Sequence, residues 1–199
     1  MIALVNYGTG NIRSVEKALQ KLGADAKVTD DPKVVMASNG VILPGVGSFG
    51  DCMSYLKKKG LDLAISEYIK DNRPYLGICL GMQILFDKSM ENGEHEGLGF
   101  LRGTVKRLPE SMKVPQMGWN KIIPKHRSTI FKGLSDPIYA YFVHSYYADA
   151  QAIDFLSTTN YGIRFCSGVA KGKVIGVQFH PEKSGDQGIM MLKNFLETL

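Results

Sequence analysis

Apolar and polar positions follow two rhythms along this chain, and the change between them falls near its middle. Ile2–Tyr7 is a short apolar run bounded by glycine, the pattern of a parallel strand buried on both faces. From Asn11 to Leu22 the residues Ile12, Val15, Ala18, Leu19 and Leu22 recur at helical spacing, and Gly23 closes the run. Ala26–Thr29 and Val41–Leu43 follow as a second and a third strand, the latter stopped by Pro44. Helical spacing returns through Met53, Leu56, Leu61, Ala64, Ile65, Tyr68 and Ile69, with a break at Gly60. Tyr75–Ile78 is a fourth strand that runs directly into a predicted helix over Gly81–Asp87. Such alternation predicts a parallel sheet covered by helices on both faces.

From Gly99 onward short runs rich in Val, Ile, Tyr and Phe follow one another. They are Val105–Leu108, Trp119–Ile123, Ile138–Val143, Phe155–Thr159, Ile163–Cys166 and Val174–Phe179, and they read as antiparallel strands and hairpins. A last amphipathic helix covers Ile189–Leu196. No repeat or linker divides the chain, so the expectation is one α/β domain over 1–199. Its sheet is mixed and mostly parallel, flanked by helices, with antiparallel additions in the C-terminal half.

Composition narrows this little: 44% hydrophobic and 22% charged residues are globular values over 199 residues. The net charge of +5 comes from scattered lysines, among them Lys57–Lys59, without the basic, aromatic-interleaved stripe of a nucleic-acid surface. Three cysteines with no CxxC pair argue against a disulfide framework. The start MIALVNYGTGN has no basic n-region or cleavage site, and no apolar run reaches the ~18–20 residues of a membrane span. The expectation is a cytoplasmic protein with no nucleic-acid or membrane partner. No metal is expected either, since HExxH and His-x-His spacings are missing.

The sharpest chemical signal is Gly77-Ile78-Cys79-Leu80-Gly81, where a buried strand enters G-x-C-x-G and a helix leaves it. This is a nucleophile elbow with cysteine in the serine position, and its glycines fit a turn too sharp for side chains. A helix N-terminus there would favour the thiolate. A small buried cysteine packed between glycines is the plainer alternative.

Of four histidines, His95 lies in the polar stretch Glu91–Glu96 and reads as a loop residue, while His126 reads as surface. His144 ends an apolar strand and is open between core, surface and substrate-facing roles. His180 ends the run Val174–Phe179 and precedes Pro181 and Glu182. Residues two apart on an extended segment share a side, so Glu182 can hold the imidazole tautomer that leaves its other nitrogen free for Cys79. A simple turn after a strand would explain His-Pro-Glu alone. With the elbow, Cys79, His180 and Glu182 read as nucleophile, base and orienter.

Pro44–Gly50 contains Gly45-x-Gly47-x-x-Gly50, formally a dinucleotide fingerprint, but the acidic residue expected ~20 positions on falls near Asp71, at a helix end. Gly8–Asn11 lacks the third glycine, and Gly168–Lys173 is one residue short of a P-loop. An open glycine loop can instead offer backbone N–H groups to an oxyanion.

The PGVGSFG loop, the LGICLGMQ elbow and VQFHPEKSG, in this order, resemble the class I, triad-type glutamine amidotransferases. Asn6–Asn11, Pro115–Asn120 and Tyr141–Tyr146 look further like the glutaminase subunits of imidazole glycerol phosphate synthases. The resemblance covers essentially the whole chain and implies the flavodoxin-like fold of that class, with no cofactor. It makes Cys79, His180 and Glu182 the triad. Leu80, Val46 and Gly47 would build the oxyanion hole, and Gln83, His144, Ser145 and Tyr146 would join Gly47 against L-glutamine. Asn11, Met117, Trp119, Asn120 and Tyr141 would face a (β/α)8-barrel cyclase subunit in a heterodimer, which uses the ammonia in histidine biosynthesis. Gln116 departs from the pattern, since many relatives carry histidine there, and Gly185 stands where a polar residue is common. Paralogues that feed ammonia to other synthases, a stand-alone cysteine hydrolase and a non-catalytic binding protein are the alternatives. A glutaminase of this length would occupy the whole chain, so the ammonia is expected to be consumed elsewhere.

Overall fold

The structure, a computed structural model, describes residues 1–8, 11–125, 128–151 and 154–199. His126 and the Thr9–Gly10 part of the first glycine turn lie outside the described residues. The first half consists of β1 (Ile2–Val5), α1 (Ile12–Lys21), β2 (Ala26–Thr29), α2 (Pro32–Ala37), β3 (Gly40–Leu43), α3 (Phe49–Lys59), α4 (Leu61–Lys70), β4 (Tyr75–Ile78) and α5 (Leu80–Gln83). The second adds β5 (Phe86–Ser89), β6 (His95–Glu96), β7 (Leu101–Arg107), β8 (Gln116–Pro124), β9 (Ile138–His144) and β10 (Tyr146–Ala150). It closes with β11 (Phe155–Tyr161), β12 (Ile163–Lys171), β13 (Val174–Val177) and α6 (Gly185–Leu196). Short 3-10 turns sit at Thr129–Phe131 and Pro181–Lys183.

Five parallel strands in the order β2-β1-β3-β4-β13 form the heart of the sheet. Each is only four residues long, yet apolar side chains on both faces keep β1, β3 and β4 fully buried. On one face Ala3, Val5, Val41, Leu43 and Tyr75 meet α3 and α4 through Leu56, Ile65 and Tyr68. On the other, Leu4, Ile42, Leu76, Ile78 and Val177 meet α1 and α6 through Val15, Leu19, Leu192 and Phe195. Each such side chain contributes about 1.5–3 kcal/mol relative to leaving it exposed. The order is that of flavodoxin-like doubly wound sheets, in which ligands sit beyond the carboxyl ends of the strands.

Beyond β13 the sheet continues as β12-β10-β7-β5-β6, and β12 also pairs β11, which carries the β8–β9 hairpin-like pair. These added pairings are antiparallel except β5 with β7. Val174–Val177, read as antiparallel, has two kinds of neighbour: it is antiparallel to β12 and parallel to β4. No helix among the described residues is long and apolar enough to cross a membrane.

Some elements differ from the pattern-based expectation. The helix predicted to reach Asp87 is a single turn, because the carbonyls of Ile84, Leu85 and Phe86 accept instead from Leu98, Leu101 and Gly99. The run Ile84–Phe86 is buried on all sides, and burial of that kind carries no helical period to separate it from a strand. His95 is in the short β6, paired with Ser89, rather than in a loop. Helix α2 was not expected, although Asp31 accepts from Lys33 N at 2.9 Å and Pro32 occupies the first turn, both ordinary start signals.

Candidate active site

Three parallel strands end side by side, and each delivers one part of the site. From β3 comes the loop Pro44–Ser48, from β4 comes Cys79, and from β13 come His180 and Glu182. Cys79 has φ 55° and ψ −105°, a conformation that costs a non-glycine residue about 1–3 kcal/mol. The surroundings hold it there. Cys79 N donates to Val177 O at 2.7 Å, and Tyr75 Oη donates to Gly81 O at 2.9 Å. A Cβ on Gly81 would collide with the carbonyl oxygen of Leu43, and one on Gly77 with that of Gly81, so the elbow requires both glycines. Gly45 packs as closely: a Cβ there would stand 2.5 Å from that of Leu80.

The loop over the elbow is tied from β1. Tyr7 Oη donates to Val46 O at 2.9 Å, and Gly47 follows with φ 110°. Leu80 N–H is the first amide of α5 and has no intrahelical acceptor.

His180 is 1% exposed and its backbone is clamped. Its N–H donates to Tyr141 O at 2.9 Å, and Ser184 Oγ donates to its carbonyl at 2.6 Å. Nδ1 donates to Glu182 Oε1 at 2.9 Å, so Nε2 is the nitrogen left for chemistry, buried with the Cys79 sulfur as its neighbour. Burial works against a charge on this ring. The Cys79 sulfur beside it and the Glu182 carboxylate outweigh that and push it up to about 10. His180 is therefore held as a proton donor. Gly188 lets α6 start directly against the carbonyl of Pro181, which fixes the turn carrying Glu182. Asn11 Nδ2 donates to the same Glu182 Oε1 at 3.1 Å.

A pocket of about 290 Å³ opens in front of the sulfur, lined by Val46, Gly47, Cys79, Leu80, Gln83, Glu91, Pro115, Val143, His144, Ser145 and Tyr146. That is the small end of ligand sites and suits one small polar molecule. Its back wall is a line of polar groups. Gln178 Nε2 stands 3.5 Å from Cys79 Sγ, and Gln83 Nε2 donates to Gln178 Oε1 and to Tyr146 O, both at 2.9 Å. His144 Nδ1 donates to the same Tyr146 carbonyl at 2.9 Å. Burial pushes His144 down to about 4 despite that bond, so the ring is neutral and its Nε2 is an acceptor. It follows that Gln116, 3.1 Å away, must present its NH2 group there. A larger hollow of about 860 Å³, between Pro124 and Ile138, is lined by Lys125, Ser128, Thr129, Lys132 and Asp136 but by no cysteine or histidine among the described residues.

Cys79, His180 and Glu182 thus lie together at the strand ends, and Val46, Gly47, Leu80, Gln83, His144, Ser145 and Tyr146 line the pocket in front of the sulfur. Residues expected at a partner face divide into two groups. Met117 and Trp119 are 64% and 58% exposed on the outer face of β8, opposite Val143 and Tyr141 of β9, and Trp119 meets the Tyr141 ring edge-on at 6.4 Å. Asn120 bonds Asn160 O at 2.9 Å near this face, whereas the half-buried Asn11 turns inward to Glu182. Sequence reasoning passed over Gln178, Glu91, Tyr7 and the Gln116–His144 contact. A glutamine breaking an apolar strand two residues before His180 was the available signal for the first. Among the described residues no cluster of three or more His, Cys, Asp or Glu could hold a metal.

Comparison with known proteins agrees with this architecture. Residues 3–199 match the family described as glutamine amidotransferase class-I. The imidazole glycerol phosphate synthase subunit HisH of Dehalococcoides mccartyi is 48% identical over 99% of this chain and 97% of its own. The subunit of the same name from Carboxydothermus hydrogenoformans is 49% identical over the full length of both. Among solved structures, PurLQS from Thermotoga maritima superposes with a TM-score of 0.78 at 20% identity, covering 99% of this chain and 97% of that one, a likeness of fold alone. Identity approaching one half from end to end places the chain in the class-I glutamine amidotransferase family, among subunits of the HisH type.

Proposed function

We infer that this chain is the glutaminase subunit of an imidazole glycerol phosphate synthase, releasing ammonia from glutamine for a cyclase subunit in histidine biosynthesis. The observation that carries the chemistry is the convergence of Cys79, the His180–Glu182 pair and a small pocket at adjacent strand ends. The pocket's size favours free glutamine over a peptide. Glu91 is its carboxylate, 2.7 Å from Phe49 N, and suits the α-ammonium of an amino acid.

In this reading the Cys79 thiolate attacks the side-chain amide carbon of glutamine. Negative charge develops on the amide oxygen, facing Leu80 N–H and the loop at Val46–Gly47. His180 Nε2 gives its proton to the departing nitrogen, leaving a γ-glutamyl thioester and ammonia. The same nitrogen then takes a proton from water, which attacks the thioester and frees glutamate and the thiol. Glu182 keeps the ring in the one useful tautomer throughout. Both carboxamide hydrogens of Gln83 are engaged, so it can offer only its oxygen to a ligand.

Ammonia is mostly protonated near neutral pH and then useless as a nucleophile, so it needs a shielded route to its acceptor. A (β/α)8-barrel cyclase docked on the Met117–Trp119–Tyr141 face, in the cytoplasm, would supply that route. Copurification with the cyclase, then glutaminase assays with and without the cyclase's nucleotide substrate, tests the assignment. Stimulation by that substrate supports it; stimulation by an unrelated acceptor synthase instead would reassign the partner. Glutamate release by Cys79→Ala equal to that of the parent would remove the triad from the mechanism.

A further inference from the structure

Helix α5 is a single turn, so its dipole does little for the sulfur of Cys79. His180 Nε2 stands beside that sulfur on one side. A second side chain also reaches Sγ, the carboxamide of Gln178, 0% exposed and 3.5 Å away, while the Val143 carbonyl lies farther off at 4.0 Å. Its orientation is decided by neighbours. The Tyr146 carbonyl can only accept, so Gln83 must turn its NH2 toward it. The second hydrogen of that NH2 requires an acceptor, and Gln178 Oε1 is 2.9 Å away. With its oxygen committed to Gln83, Gln178 can meet the sulfur only through NH2. A donor fixed in that way favours the charged form of the sulfur over the neutral thiol.

We propose that Gln178 completes the nucleophile's machinery: its buried NH2 group, oriented through Gln83 by the Tyr146 carbonyl, holds Cys79 Sγ in position as a thiolate. The consequence for glutamine hydrolysis rests on the glutaminase reading, but the sulfur's own reactivity does not. The charged and titratable groups around it are His180, with Glu182 behind, and His144 and Glu91 on the pocket wall. All four stay in place in the variants below.

The test is alkylation of the full chain by iodoacetamide across the pH range, without glutamine, reading modification of the Cys79 peptide by mass. Cys52 and Cys166 act as silent internal controls, since burial pushes both thiols up to about 12. Gln178→Met keeps the length and removes the donor. We expect its alkylation midpoint about one pH unit above wild type, a roughly tenfold loss of thiolate at lower pH. In glutaminase assays kcat should fall while KM for glutamine stays within about twofold. Gln178→Glu keeps the volume and can still pair with Gln83, so it serves if the first variant fails to fold. Its carboxylate should raise the midpoint at least as far. A midpoint unchanged from wild type in either folded variant overturns the proposal. Loss of glutaminase stimulation with normal thiol reactivity would instead count against the function assigned above.

Discussion

Asn11 and His180 converge on a single oxygen: Glu182 Oε1 accepts from Asn11 Nδ2 at 3.1 Å and from His180 Nδ1 at 2.9 Å. Asn11 sits at the N-cap of α1, yet its side chain caps no backbone amide of the helix and instead accepts from Ser14 Oγ at 2.5 Å. The start of the first helix is thereby tied to a turn 171 residues later in the chain. Removing the amide should loosen the carboxylate that orients the ring. We expect Asn11→Ala to lower kcat for glutamine about ten- to a hundredfold, the scale of one hydrogen bond to a charged group, with KM little changed. Asn11→Asp should cost more, through repulsion between carboxylates. Steady-state kinetics of both variants checks the ranking; equal activity in all three proteins would detach Asn11 from the triad.

The bond from Tyr7 Oη to Val46 O holds the loop above the elbow in one orientation. If Gly47 must turn its peptide to complete the oxyanion hole, that bond restrains catalysis. Tyr7→Phe should therefore raise basal glutaminase turnover of the isolated chain by about fivefold, the worth of one neutral hydrogen bond. A fall in turnover would mean the observed orientation is already the working one.

Stability should respond to pH through two histidines in opposite ways. His144 is pushed down to about 4 by burial, whereas an unfolded histidine titrates near 6.5. Between those values the unfolded chain binds more protons, so acidification from about 6.5 to 4 destabilises the fold, by up to roughly 1 kcal/mol per pH unit. His180, pushed up to about 10, does the reverse: its stabilisation is complete below 6.5 and fades as pH rises toward 10. Chemical denaturation at several pH values should show His144→Gln flattening the acid limb and leaving the alkaline limb intact.

Gly81→Ala places a methyl group against the carbonyl of Leu43, backbone on backbone. Neither atom belongs to a flexible side chain, so the elbow must shift. A loss of about 2–3 kcal/mol in unfolding free energy is expected, along with loss of Cys79 reactivity. Gly23→Ala is a useful contrast, because a Cβ there meets nothing within 4 Å and only φ 69° opposes it.

Trp119 and Met117 stand out from β8 with little to cover them. Trp119→Ala should weaken cyclase binding by at least about thirtyfold, as for a central aromatic anchor, while the melting temperature of the isolated chain stays nearly constant. Titration calorimetry against the cyclase measures it.

Much of this was legible in the chain, for physical reasons that also explain the gaps. β1, β3 and β4 show because strands buried on both faces are written as unbroken apolar runs. Cys79 and His180 show because sharp turns demand glycine and proline beside them. The one-turn α5 was hidden because Ile84–Phe86 is apolar in any conformation. Tyr146–Ala150 was missed as β10 because its register is supplied by β7, a partner distant in sequence. Gln178 and Asn11 announce nothing locally: their roles exist only when Gln83 and Glu182 arrive from elsewhere. Residues that act alone, or through a neighbour two positions away as Glu182 does, left a mark in the sequence, and residues that act through a distant partner did not.

The insertion of β13 beside β4 has a consequence for timing. Gln178 is 99 residues beyond Cys79 and directly follows β13, which is made only after β12. A nascent chain that has reached only β12 carries Cys79 without His180, Glu182 or Gln178, and one side of β4 lacks its neighbour. The strand that closes the parallel sheet is followed at once by Gln178, His180 and Glu182, so the groups around Cys79 gather only when that strand docks beside β4.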